Sequence, residues 1–352
     1  MIFFDVTKSA AAGHHSGLTR VNSRLRAELG PAAVPVAWPQ WDRAAGPADW
    51  FFTTEVFAPA ERPGFREFLR GRSARCGAIF HDAIPLKHPH ITWPQSVARH
   101  PAYLGMLAEF DRVWANSAAS RDELLGFWRW QGVVSPPPVE VLALGADCDG
   151  APRSGQSSFV PRSGTMADEA KQRGRAPALL CLGILEPRKN QAFLLEVCSG
   201  LWAAGRQFEL HLVGRVNPHF GAPIVAPMRR LRRRWPGLHH HAHLDDADLA
   251  RLRAGARATV FPTIAEGAGL PLLESLWQGV PCVASDLAAL RESAAAGGCL
   301  LLPPSDAAAW KSALERILAD DALHARLTAE ARSRPLPTWA DAARTLQRAM
   351  DA

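Results

Sequence analysis

Phe261-Pro262-Thr263-Ile264-Ala265-Glu266-Gly267-Ala268-Gly269-Leu270-Pro271-Leu272-Leu273-Glu274 is the stretch on which the reading of this chain turns. The β-rich run Ala258–Phe261 leads into it, and a loop with two glycines follows. A helix is expected from about Leu270, because Pro271 suits the first helical position and Gly279 suits the residue past the end. A helix N-terminus then stands beside the carboxyl end of a strand, where backbone N–H groups and the helix dipole favour a phosphate. Gly267 and Gly269 let the backbone come close to a ligand. Glu266 and Glu274 are eight residues apart. Glu274 falls about one turn into the helix among Leu270, Leu273 and Leu276, where a carboxylate needs a partner. A ribose diol would serve, and so would an internal salt bridge. For Glu266 the alternative to a ligand is a solvated carboxylate at a helix start.

The same placement recurs. Leu182-Gly183-Ile184-Leu185-Glu186-Pro187-Arg188-Lys189-Asn190-Gln191 also follows a strand and precedes a helix. Arg188 and Lys189 would emerge there as paired cations able to hold a diphosphate and offset its charge as it leaves; ordinary surface charge is the other reading. Phe80-His81-Asp82-Ala83-Ile84-Pro85 is a third strand end, from which His81 could donate a hydrogen bond to a sugar hydroxyl or phosphate, or serve structure alone. Gly13-His14-His15-Ser16-Gly17-Leu18-Thr19-Arg20 follows the first strand and opens a helix, the usual place of a phosphate loop, without the G-x-G-x-x-G pattern. His239–His241 and His243 look like a metal tract, but their spacing fits a strand and turn equally well, and no metal is expected.

Working outward, short apolar runs alternate with helical patterns along the 352 residues. In the first half the runs are Ile2–Val6, Val34–Trp38, Trp50–Thr53, Gly77–Phe80, Arg112–Ala115 and Val139–Leu144. In the second half they are Ala178–Ile184, Glu209–Val213, Ala258–Phe261, Pro281–Ala284 and Cys299–Leu302. Between them, Gln191–Ala204, Asp246–Ala254 and Ala307–Ala319 have helical apolar spacing. This alternation predicts an α/β fold with parallel sheets covered by helices. A stretch rich in Gly, Ser, Arg and Pro, 149–176, reads as a linker. It divides the chain into one domain over 1–160 and another over 172–337, and so into two Rossmann-like domains flanking a cleft.

Six scattered cysteines include no C-x-x-C pair, so neither a disulfide nor a zinc site is expected. No run of about 18 uncharged apolar residues is present, so no spanning helix is expected. The N-terminus lacks the pattern of a signal peptide, which makes the cytoplasm the expected compartment. The net charge of +6 admits phosphorylated substrates, an anionic membrane or nucleic acid. Its densest cluster is Met228-Arg229-Arg230-Leu231-Arg232-Arg233-Arg234-Trp235. No RNP, zinc-finger or helix-turn-helix signature accompanies it, so nucleic acid is not an expected partner.

Taken in order along the chain, these motifs resemble the retaining glycosyltransferases of family 4, which have the GT-B fold. Glu266 and Glu274 match that family's E-x7-E motif, with Gly267, Gly269, Leu270 and Pro271 in register. Glu186-Pro187-Arg188-Lys189-Asn190 matches its E-P-R-K-N variant, and His81–Pro85 resembles its first-domain histidine motif. Ala115-Asn116-Ser117 with Arg121-Asp122, Leu144-Gly145-Ala146-Asp147 and Gly17-Leu18-Thr19-Arg20-Val21 also resemble family segments. The chain departs from the pattern at Ala268, where an aromatic residue is common, and at Ile184, where many members carry Arg.

The resemblance implies a role for each matching residue. Arg188 and Lys189 bind the donor diphosphate, with Gly17 near it. Glu274 binds the ribose hydroxyls. Glu266 and the backbone of Gly267, Ala268, Gly269 and Leu270 face the donor sugar, which His81 approaches from the other domain. His211–Arg215 lines the base pocket, and a last helix over 338–352 crosses back onto the first domain. The implied activity is metal-independent, cofactor-free transfer of a sugar, with retention, from a nucleotide diphosphate donor to a saccharide or lipid-linked acceptor. The E-P-R-K-N subgroup resembles bacterial mannosyltransferases of surface polysaccharides, so GDP-mannose leads as donor, ahead of UDP- and dTDP-sugars. A lipid-linked acceptor would bring the basic chain to the anionic inner face of the membrane. Other classes stay open: an epimerase or phosphorylase on a similar fold, and a nucleotide-sugar or nucleic-acid binding protein without catalysis.

Overall fold

The computed structural model describes residues 1–11, 17–42, 45–148, 153 and 176–352. Gly13–Ser16 of the N-terminal loop and nearly all of the linker stretch lie outside the described residues. The chain forms two compact units, Met1–Gly145 with Pro337–Ala352, and Ala146–Leu336.

The first unit is built on β1 (Ile2–Asp5), β2 (Ala33–Val36), β3 (Trp50–Thr53), β4 (Arg75–Phe80), β5 (Arg112–Ala115) and β6 (Val139–Val141). They run in the order β2-β1-β3-β4-β5-β6, every pair parallel. The central strands are buried on both faces, which is why they read as continuous apolar runs rather than alternating ones. An aromatic core of Trp38, Phe51, Phe65 and Phe68 packs edge to face on one side. The C-terminal helix Trp339–Asp351 belongs to this unit. A capping box opens it: Asp341 N–H donates to the Thr338 hydroxyl and Thr338 N–H to the Asp341 carboxylate. It buries Trp339, Ala342, Ala343, Leu346 and Met350, one stripe at helical spacing. Trp50 Nε1 donates to Met350 O at 2.9 Å and locks the far end. Gly145 lies so close that a Cβ there would come within 2.3 Å of Trp339 N.

The second unit is built on β7 (Ala178–Leu182), β8 (Glu209–Val213), β9 (Leu238–His241), β10 (Ala258–Phe261), β11 (Cys282–Ser285) and β12 (Cys299–Leu302). Their order is β12-β11-β10-β7-β8-β9, again all parallel. The chain starts at the centre with β7, winds out through β8 and β9, returns to β10 beside β7, and winds out the other way. This is the doubly wound order, whose ligands bind at the carboxyl ends where the winding reverses. Here that point lies between β7 and β10.

Strand ends differ from the sequence reading for local reasons. The strand expected to reach Ile184 stops at Leu182, because Gly183 turns to φ +141°. The strand expected from Pro281 starts at Cys282, since proline has no N–H for the ladder. β9 is missing from the apolar runs because three of its four residues are histidine, whose spacing fits a strand and turn. Five of the six cysteines are buried, as small apolar residues would be, and burial pushes the Cys181 and Cys282 thiols up to about 12.

The first sheet also has a reversal, between β1 and β3, and a buried ion cluster fills it. Arg62 donates from Nη1 to Asp5 Oδ2 and from Nη2 to Glu55 Oε2, each at 2.6 Å, with all three side chains at most 5% exposed. Thr53 and Thr7 hydroxyls donate to Asp5, and the N–H groups of Lys8 and Ser9 donate to Glu55. Burial and then the neighbouring Asp5 raise the Glu55 carboxyl above its ordinary value. Removing one partner of such a cluster leaves uncompensated buried charge. We expect Arg62→Ala to cost about 3–5 kcal/mol in urea unfolding, with Arg62→Lys recovering part of it. An Arg62→Ala protein as stable as the parent would show that the cluster holds nothing together.

Candidate active site

The reversal point of the second sheet gathers the residues that the sequence singled out. β7 runs into Gly183 and the single turn Pro187–Lys189, and β10 runs into Pro262–Gly269. Two backbone links tie these loops: Ile264 N–H donates to Arg188 O at 2.9 Å, and the Thr263 hydroxyl lies 3.0 Å from the same oxygen. Glu266 is thereby carried onto the two cations. Lys189 Nζ donates to its Oε1 at 2.5 Å and Arg188 Nη1 to the same oxygen at 2.9 Å. The Thr263 hydroxyl stands at 2.9 Å from it. Lys189 also lies over the Phe261 ring, 4.7 Å from its centroid.

These charges are held at a desolvation cost. Burial pulls the Glu266 carboxyl up, but Lys189, Arg188 and the hydrogen bonds outweigh it, and the group sits below its ordinary value of 4.5. For Lys189, burial prevails over the attraction of Glu266 and holds the ammonium below its ordinary 10.5. Arg188 keeps 23% of its side chain exposed and is braced from behind by Glu186, at 3.1 Å from Nε. Glu186 is in turn held by Asn217 Nδ2 at 3.0 Å. Neither Glu186 nor Asn217 was singled out as a site residue. Asn217-Pro218 is a turn dipeptide, the one local sign that this residue is placed for a reason.

The helix forecast from about Leu270 spans Leu270–Trp277, with Pro271 second rather than first. Gly269 precedes it with φ +77°, and a Cβ there would lie 2.2 Å from Leu290 Cδ2, so only glycine fits. Gly279 adopts φ +70° past its end, as expected. Glu274 is inside this helix, 4% exposed, with Oε2 3.3 Å from Arg253 Nη2. The salt bridge is therefore present. Its cation comes from the helix Asp246–Ala254, 21 residues back, where no local pattern could reveal it. Arg253 also reaches Cys148 Sγ at 3.3 Å. Arg215 is exposed beyond β8, its carbonyl accepting from Leu185 N–H. Gly267 is buried, while Ala268 and Leu270 are half-buried.

In the first unit, His81 ends β4 and is 6% exposed. Its Nε2 lies 2.7 Å from Thr54 O. A carbonyl can only accept, so Nε2 carries the proton. Burial lowers the pKa and keeps the ring neutral. The expectation that His81 donates to a ligand is therefore corrected: its donor is engaged by Thr54, and Nδ1 can only accept. Gly17 opens the helix Gly17–Leu29 at an exposed position with open space around its Cα.

Residues 176–320 match the family described as Glycosyl transferases group 1. The chain is 29% identical over 248 residues to the serotype-specific mannosyltransferase WbdA of Escherichia coli, a match covering 64% of this chain and 28% of that protein. It is 28% identical over 329 residues to the phosphatidyl-myo-inositol mannosyltransferase of Mycobacterium leprae (strain TN), covering 86% of this chain and 80% of that one. The chain thus spans little more than a quarter of the first relative and most of the second. WaaG, a glycosyltransferase involved in lipopolysaccharide biosynthesis, superposes with a TM-score of 0.67 at 16% identity over 100% of this chain and 99% of that one. The fold is GT-B, and the stretch that matches the group 1 glycosyl transferases lies within the second unit.

The depressed Glu266 carboxyl has a consequence for acid stability. A group whose folded pKa is lowered contributes stability above its unfolded value and loses it as pH falls through the folded one. Glu266→Gln should destabilise the protein by about 3 kcal/mol near neutrality. The gap between parent and variant should be full above pH 4.5 and shrink below it. A gap that stays constant from pH 6 to the acid limit of folding, followed by melting temperature, would contradict the assigned ionisation.

Proposed function

We propose that the chain is a retaining mannosyltransferase that draws mannose from GDP-mannose and passes it to a saccharide or lipid-linked acceptor. The observation that carries this reading is the convergence of Arg188, Lys189 and Glu266 at the reversal point of the second sheet. Names of the relatives favour mannose; the guanine base rests on the family resemblance alone.

In this reading the donor diphosphate replaces Glu266 as the partner of Arg188 and Lys189. Lys189 gains most, because a dianion restores the charge stabilisation that burial takes away. Glu266 stays beside them, and with the backbone of Gly267, Ala268, Gly269 and Leu270 it faces the sugar. Glu274 takes the ribose hydroxyls, and Arg253 holds its carboxylate in place. Arg215 stands at the base. In the transfer the bond from the anomeric carbon to the diphosphate oxygen breaks and the bond to the acceptor oxygen forms on the same face. The acceptor's proton passes to the departing diphosphate. Arg188 and Lys189 offset the charge that develops there, electrostatic work of the kind that accounts for about 10²–10³ in rate for a single donor. None of these steps calls for a metal ion.

The test is thermal stabilisation by GDP, UDP, dTDP, ADP and CMP, each in EDTA. A ligand that binds only the folded state raises the melting temperature with occupancy. GDP should give the largest shift, and Glu274→Gln, compared with its own ligand-free melting temperature, should reduce that shift. A larger shift with UDP or dTDP would move the donor assignment. A shift with no accompanying sugar transfer to any acceptor would favour a binding protein, and no shift with any nucleotide would sink the reading.

We further propose that the protein works against an anionic membrane surface. No helix among the described residues is long and apolar enough to cross a membrane. The helix Ala222–Arg234 buries Ile224 and Met228 and exposes Arg229, Arg230, Arg232, Arg233 and Arg234. Each such cation near anionic lipid contributes about 1 kcal/mol at low salt. The protein should co-sediment with phosphatidylglycerol vesicles at low salt, and Arg229→Ala/Arg232→Ala/Arg233→Ala should weaken this by at least about tenfold. Equal sedimentation of parent and triple variant would remove this helix from the argument.

A further inference from the structure

The histidines of β8 and β9 make none of the contacts described at the reversal point, although the family resemblance sets His211 at the start of the stretch lining the base pocket. We propose that Glu209, His211 and His239 form a binding site for a divalent transition-metal ion of the zinc class.

Register and period make the cluster. In a strand, alternate residues share a face, so Glu209 and His211 of β8 lie on one face, as do His239 and His241 of β9. Pairing is parallel, with His211 opposite His239 and Val213 opposite His241. Leu210 and Leu212 point the other way, into the main core. One ligand atom each from Glu209, His211 and His239 lies within 4.8 Å of the others. Zinc binds nitrogen at about 2.0–2.1 Å and carboxylate oxygen at about 2.0–2.2 Å, so its ligands must stand a few ångströms apart, a small adjustment from this spacing. Three protein ligands leave a fourth position for water.

The rings are already arranged as ligands. The His211 and His239 rings stack with centroids 4.6 Å apart. His211 Nε2 is 3.0 Å from Glu209 Oε2, and its Nδ1 is 3.1 Å from His241 Nε2. A carboxylate only accepts, so His211 carries its proton on Nε2 and accepts at Nδ1 from His241 Nε2–H. A metal at His211 Nε2 displaces the proton there. The proton moves to Nδ1, which then donates to His241 Nε2, while the His241 proton moves to its own Nδ1. No net proton is released, and His241 becomes the outer partner that orients a ligating histidine.

Position separates this site from sugar transfer. Glu209 begins β8 and His211 is its middle residue, whereas the nucleotide residues lie past the carboxyl ends of the strands. Glu209 is 39% exposed and gives an ion a way in, while the His211 side chain is 11% exposed.

The test uses the untagged full chain with Co²⁺ as a spectroscopic probe and Zn²⁺ as competitor. The expected result is one equivalent of Co²⁺ with the visible bands of a four-coordinate ion, displaced by Zn²⁺. His211→Ala and His239→Ala should each abolish the bands, and His241→Ala should weaken affinity by about 10–100-fold. Should the histidine variants fail to fold in EDTA, Glu209→Gln, at a half-exposed position, decides the matter: a dissociation constant equal to that of the parent overturns the proposal. So does the absence of bands in the parent, or their persistence in His211→Ala.

Discussion

Charge can be buried at the reversal point of a parallel sheet only if it is paired there, and both units of this protein are organised around that constraint. In the first, Asp5 and Glu55 meet one guanidinium, that of Arg62, and the N–H groups of Lys8 and Ser9 are turned onto Glu55. In the second, Lys189 and Arg188 meet Glu266, with Glu186 behind. The two clusters look alike but differ in sign and closure. Two carboxylates against one cation repel an anionic ligand, and the Arg62 side chain is 2% exposed. The second cluster balances two cations with two carboxylates and leaves Arg188 at 23% exposure. The first holds a loop in place; the second can exchange one anion for another.

That difference explains why the second sheet was legible at its site and the first was not. Arg188, Lys189, Glu266 and Gly269 sit in short segments whose order is strand, glycine loop, helix, and each segment declares its own place at a strand end. The structure joins two such segments through Ile264 N–H and the Thr263 hydroxyl, contacts that a strand-end reading makes natural without specifying. Asp5 ends β1, while Glu55 and Arg62 lie in the connection that follows β3. Nothing in Ile2-Phe3-Phe4-Asp5 shows that its aspartate faces an arginine 57 residues away.

Long-range pairing limits the reading elsewhere as well. Glu274 required a partner by its position among leucines, and the sequence offered two kinds. The structure supplies Arg253, whose own helix carries no sign of the role. His81 shows the opposite limit: its location at a strand end was legible, but the proton it carries depends on Thr54 O, a backbone atom with no sequence signature. The histidines of β9 fit a metal tract or part of a strand and turn equally well by spacing, and only the register against β8 brings His239 beside His211.

Lys189 carries the last step of this argument. An ammonium buried to 8% exposure beside an aromatic ring is costly unless an anion accompanies it, and Glu266 is that anion in the empty protein. A ligand that brings two negative charges to the same point competes with a carboxylate that is already close. Binding therefore gains only the difference between the two partners, not the whole attraction of the cations. Such an arrangement favours a diphosphate, which can engage Lys189 and Arg188 together, over a monophosphate that merely replaces Glu266 at one of them. In the proposed transfer, the displaced carboxylate would stand beside the sugar, where a positive charge develops as the anomeric bond breaks. The residue that pairs the two cations would then also be the one nearest the reacting carbon.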